Sequence, residues 1–114
     1  MPISDRRKWK VNRSADDILK IVTSKLGEKK AKLEEATSRR IEATMGSGLK
    51  TRLIGGWFVS EDTLPVKIVL LMNEVTGATE IDATIQDNLG PGIKTGMVGK
   101  YQKHIRKLFD ELAR

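Results

Sequence analysis

The chain has 114 residues, 39% hydrophobic and 32% charged, with a formal net charge of +6 at pH 7. That length suits one domain with a single core, and that balance suits a folded globule rather than a disordered chain. Cysteine is absent and His104 is the only histidine. This excludes disulfides, thiolate nucleophiles and His/Cys zinc sites, and a Ser-His-Asp triad could draw its base only from His104.

Arg7 to Asn12 reads as a short strand, because Trp9 and Val11 alternate with Lys8, Lys10 and Asn12. Ser14-Ala15-Asp16-Asp17 is a helix start, with Ser14 as N-cap and two aspartates at the positive end of the helix dipole. Ile18, Val22 and Leu26 give the buried face of a helix over Ala15–Leu26, and Gly27 offers the left-handed residue that stops it. Residues 28–40 mix helix-forming Ala, Glu and Lys with an edge-strand alternation of Ala31 and Leu33; the reading leans towards a strand near Ala31–Thr37.

From Arg39 the alternation sharpens. Ile41, Ala43 and Met45 face one way, and Gly46-Ser47-Gly48 closes the segment with hairpin residues. Leu49, Thr51 and Leu53 continue it until Gly55-Gly56 interrupts before Trp57-Phe58-Val59, a pattern that suggests a bulge or bend. Val66 to Val75 is apolar on both faces and so is expected to be central or covered on its second face. Thr76-Gly77 turns the chain, and Thr79, Ile81, Ala83 and Ile85 form the last alternating strand. Met97, Val98, Tyr101, Ile105, Leu108 and Leu112 then make a helical stripe between Lys94 and Arg114. The order is β-α-β-β-β-β-α with room for one further strand. Neighbours joined by tight turns must be antiparallel, which gives an α+β domain.

No run of about 18 apolar residues occurs, so no transmembrane helix is expected. The first eight residues lack the apolar core of a signal peptide, and a cytoplasmic location is expected. No cofactor is expected, and a carboxylate-only Mg²⁺ site has no motif behind it. Residues 1–13 and 91–114 each carry +4, and the remainder −2. Such ends could attract nucleic acid, an anionic ligand or an acidic partner, or simply keep the surface solvated. No nucleic-acid-binding motif appears, and Lys50, Arg52, Lys67, Glu80 and Asp82 are placed to form cross-strand ion pairs, which argues against a basic nucleic-acid-binding sheet.

Three features invite a chemical reading. His104 lies at the edge of the helical stripe, as an acid or base facing a cavity or as a boundary residue half in water. Tyr101 sits at the stripe's centre and needs a partner for its hydroxyl if buried. Trp57 and Phe58 follow two glycines, where a bent strand would place either a core ring or a ligand contact.

The order of elements resembles the START/polyketide-cyclase/pollen-allergen (SRPBCC) superfamily, whose helix-grip fold is a curved antiparallel sheet packed against a long C-terminal helix. The local likeness lies at Val11-Asn12-Arg13-Ser14-Ala15-Asp16-Asp17-Ile18, at Thr76-Gly77-Ala78-Thr79-Glu80-Ile81 and in the helix Tyr101–Ala113. The chain is shorter than typical members. The resemblance implies one domain over residues 1–114, read as a monomer, with a pocket for a hydrophobic or aromatic small molecule between sheet and last helix. Met45, Leu53, Trp57, Phe58 and Leu70 are candidate lining residues, together with Met72, Met97, Tyr101 and Leu108. By likeness to polyketide cyclases, Arg52 and Tyr101, with Trp57 beside them, are candidates to orient a poly-β-ketone; His104 is a further catalytic candidate. Binding without turnover fits equally well. The rival reading is a nucleic-acid or acidic-partner binder using Arg6, Arg7, Lys8 and Lys10 with Lys100, Lys103, Arg106 and Lys107.

Overall fold

Among the described residues, alternating strands and two amphipathic helices assemble into one antiparallel sheet with both helices on its apolar face. The computed structural model describes residues 4–46, 64–88 and 98–113. In chain order these form β1 (Ser4–Val11), α1 (Ala15–Glu28), β2 (Lys32–Ala36), β3 (Arg40–Met45), β4 (Val66–Val75), β5 (Ala78–Asp87) and α2 (Val98–Leu112). The five strands lie in the order β1-β5-β4-β3-β2, so the first strand pairs with the last and β4 is central. The α+β expectation therefore holds. The further strand, near Ala31–Thr37, is β2, whereas the strand expected at Leu49–Leu53 and the Trp57–Val59 segment lie outside the described residues.

Register fixes which side chains face the helices. Opposed pairs such as Ile41 and Leu70, Ile68 and Ile85, or Leu70 and Ala83 point to one face, where all are fully buried. The other face carries Arg6, Lys8, Asp82, Lys67 and Glu42. Here the expected ion pairs have different partners from those inferred. The Arg6 Nε–Asp82 Oδ1 bond is 2.7 Å and Lys67 Nζ–Glu42 Oε1 is 2.8 Å. Arg6 holds the Asp82 carboxyl below the usual carboxylate range by hydrogen bonding, and Lys67 does the same for Glu42. Lys50 and Arg52 lie outside the described residues. β4 is central as expected, yet its second face is not covered among the described residues: Val69 is half-buried and Leu71 exposed.

β2 is exposed along its whole length, which is why the alternation of Ala31 and Leu33 with charged residues is so weak a signal there. A register shift between Leu33 and Glu35, with Lys32, Glu34 and Glu35 beside it, guards this sheet edge against unwanted pairing.

α1 starts as its sequence dictates. Ser14 Oγ accepts the Asp17 N–H at 3.2 Å, and Glu74 on β4 accepts the Ala15 N–H at 2.9 Å. Its end corrects the sequence reading. Gly27 is helical, and the left-handed residue is Lys30 at φ 60°. The Ala31 N–H reaches the Leu26 carbonyl at 2.9 Å and the Lys30 N–H reaches Gly27 at 3.0 Å, the bond pattern of a Schellman cap. Lysine thus stands where glycine is usual, at a cost of about 1 kcal/mol.

α2 covers 15 residues of the stretch expected from Lys94 to Arg114, and Lys94 to Met97 lie outside the described residues. It buries Tyr101, His104, Ile105, Leu108, Phe109 and Leu112 against the sheet. Two of these correct the stripe. Phe109 was missing from it, and His104, expected at a half-wet boundary, is only 2% exposed. No helix among the described residues is long and apolar enough to cross a membrane.

Candidate functional site

The candidate site forms where the C-terminal end of α1 meets α2. Two lysines from α1 grip the last turn of α2: Lys25 Nζ donates to the Glu111 carbonyl oxygen at 2.9 Å, and Lys29 pairs with the Glu111 carboxylate. A cation at a helix C-terminus also complements the dipole there. Beside this clasp opens a cleft of about 270 Å³ lined by Glu28, Lys29, Lys30, Met45, His104, Lys107, Leu108 and Glu111. A second groove of about 430 Å³ runs on with Lys25 and Leu112 and shares Glu28, Lys29 and Glu111 with the first. The Lys29–Glu111 pair therefore stands between the two.

The cleft has an apolar floor and a charged rim. Met45 ends β3 and Leu108 sits on α2; both are buried. Apolar walls with a few convergent polar groups are what small-molecule sites require. His104 supplies a titratable imidazole at the floor, and Lys30 and Lys107 are exposed at the mouth. Among the described residues no group of three or more His, Cys, Asp or Glu is arranged to hold a metal ion.

Of the residues read from the sequence, Met45, Leu108 and His104 come together in this cleft. Leu70 and Met72 are buried on the inner face of the sheet and do not line it. Tyr101 is fully buried elsewhere, with its hydroxyl donating to the Pro65 carbonyl oxygen at 3.2 Å. Arg52, Leu53, Trp57, Phe58 and Met97 lie outside the described residues. Sequence reasoning missed the Lys29-Lys30 doublet and Glu111. A signal existed for part of this, because Lys107 and Glu111 follow His104 at three and seven residues and so share its side of the helix.

Tyr101 makes a separate prediction. Burial, and then the negative charge of Asp87, push its phenol above the ordinary value. The folded state thus holds this proton more tightly than the unfolded chain, whose tyrosine titrates near about 10. Its contribution to stability is complete below that pH and declines as pH rises beyond it. Denaturant midpoints should fall above pH of about 10 in the parent protein and fall less in Tyr101→Phe. At neutral pH this variant should cost only about 1 kcal/mol, because Pro65 keeps its bond from the Asn88 N–H at 2.9 Å. An equal alkaline loss in both proteins would count against a buried phenol.

Two other concavities fit less well. The larger of these two, about 540 Å³, lies open on the far face of the sheet, where Lys8 and Lys10 on β1 stand opposite Asp82 and Glu80 on β5. The same matching weakens the basic-patch reading. Arg6 is bound to Asp82, and Arg7 reaches Asp110 at 3.3 Å while its guanidinium stacks 4.8 Å from the Phe109 ring centre. A narrow apolar groove of about 160 Å³ lies between β1, α1 and the end of α2. There the buried Trp9 Nε1 has no hydrogen-bond partner among the described residues. One ring nitrogen does not define a ligand, because an ordered water would satisfy it.

Comparison with known proteins finds no family model and no curated protein that matches this sequence.

Proposed function

We propose that this chain is a small helix-grip domain of the polyketide-cyclase-like type that holds a hydrophobic small molecule, polyketide- or lipid-like, against its C-terminal helix. The observation that carries the reading is the cleft between the helix ends, floored by Met45 and Leu108 with His104 beside them. The strand order supports it, since a sheet whose first strand pairs with its last presents one apolar face to both helices. Under the middle of α2, Tyr101, Ile105 and Phe109 are buried in the core. The proposed ligand therefore sits beside the second half of α2, from His104 to Glu111, and not beneath its whole length.

Chemistry at this site would fall to His104. An imidazole beside a bound poly-β-ketone could take the proton from a methylene carbon and give it to the alkoxide formed with the new C–C bond; in dehydration it would remove a second α-proton and return it to the departing hydroxyl, which leaves as water. Binding alone requires none of this and is the function proposed.

The test is a ligand panel followed by NMR. Aromatic polyketides and lipid-like compounds should shift the Met45 methyl and the Leu108 methyls of the full chain. If no compound moves either residue, the reading is wrong. Turnover is tested separately: a compound that binds should be converted by the parent protein and left intact by His104→Phe.

A further inference from the structure

We infer that the cleft selects an amphipathic anion, a short apolar chain or ring ending in a carboxylate, over a neutral hydrophobe; this rests on the ligand-binding reading above. The rim draws cations from two separate elements, Lys29 and Lys30 at the end of α1 and Lys107 on α2. Lys29 is occupied by Glu111. Lys30 and Lys107 have no ion pair among the described residues, so both ammonium groups are available at the mouth. Their backbones are fixed, Lys107 by the helix and Lys30 by the two bonds of the Schellman cap.

This layout sorts a ligand by polarity. The floor offers Met45 and Leu108 to an apolar body, and the two ammonium groups offer an anion a partner while leaving it in contact with water. A charge held at the mouth avoids the desolvation penalty that full burial would impose. A cationic head would meet two like charges there. Glu28 is the opposing charge on the rim and moderates the preference. The volume of about 270 Å³ corresponds to roughly nine water-sized units. That suits a chain of about eight carbons, or one substituted ring.

The experiment titrates the full chain with sodium octanoate and with 1-octanol and follows the Met45 methyl resonance. The probes match in length and differ in charge. Octanoate should bind about three- to tenfold more tightly at low salt, the preference that two exposed ion contacts supply. It should shrink in about 0.5 M salt, where screening reaches only a few ångströms. Lys30→Met combined with Lys107→Met should remove the preference, bringing the octanoate and octanol affinities together, and Glu28→Gln should enlarge it. All three side chains are exposed, so these variants should keep the parent melting temperature. Equal, salt-insensitive binding of both probes would overturn the inference while leaving the cleft a binding site. If neither probe moves Met45, the binding reading fails, and the inference with it.

Discussion

Gly46→Ala should lower stability by about 2–5 kcal/mol, the sum of left-handed strain and an overpacking clash. Gly46 has φ 84°, and a Cβ placed there would run into the Leu64 carbonyl oxygen and lie 2.8 Å from the Pro65 Cα. These are backbone atoms, so no side chain can swing aside to make room. They also sit at a junction, because the Pro65 carbonyl accepts from both Asn88 and Tyr101. A displaced Leu64–Pro65 would therefore disturb β4, the end of β5 and α2 together. Two other glycines separate the terms. Gly77 has φ 78° and open space around its missing Cβ, so Gly77→Ala should cost only about 1–2 kcal/mol. Gly27 is helical with nothing nearby, so Gly27→Ala should stabilise by about 1 kcal/mol. Urea midpoints for the three variants decide the matter. A Gly46→Ala cost no greater than that of Gly77→Ala would mean that the chain does not pass as close to Leu64 as described.

Phe109→Ala should be comparably severe, at about 3–5 kcal/mol. The ring is fully buried and sits in the core between α2 and the sheet. Its loss would leave a cavity, and Arg7 would lose the face over which its guanidinium lies. Phe109→Leu keeps most of the volume and should cost about 1.5 kcal/mol or less. The cation–π share is expected to be small, about 0.5–1 kcal/mol at this partly exposed site. A double-mutant cycle with Arg7→Ala measures it. A total cost below about 1 kcal/mol for Phe109→Ala would show that α2 does not depend on this contact.

The parts of this fold that are legible in the sequence are those where one face meets water. β3 and β5 alternate buried and half-exposed residues along most of their length, and period two gives them away. α1 announces its start through Ser14 and Asp17. Its end is misread because local propensity favours Gly27 for the left-handed residue, whereas the chain turns three residues later at Lys30. Burial of His104 and Phe109 was missed because each flanks a centre line drawn through Tyr101, Ile105, Leu108 and Leu112; the sheet covers a wider arc of α2 than that line suggests. Strand order left no local trace, since no periodicity within Ser4–Val11 reveals that its partner is Ala78–Asp87. The same holds for the cleft. Its apolar floor could be guessed from two buried stripes, but its lysine rim exists only because the ends of two distant helices meet.

That pairing of β1 with β5 has a consequence for how the protein is made. Ser4 finds its hydrogen-bonding neighbour at Gln86, so a ribosome must deliver most of the chain before the opening strand has anywhere to dock. Until then the growing polypeptide can assemble only β2, β3 and β4, with α1 resting on a half-built surface. Contacts this distant along the chain slow a fold's completion. Charges on Arg6, Arg7, Lys8 and Lys10 keep the waiting segment hydrated and discourage it from adding itself to another nascent sheet.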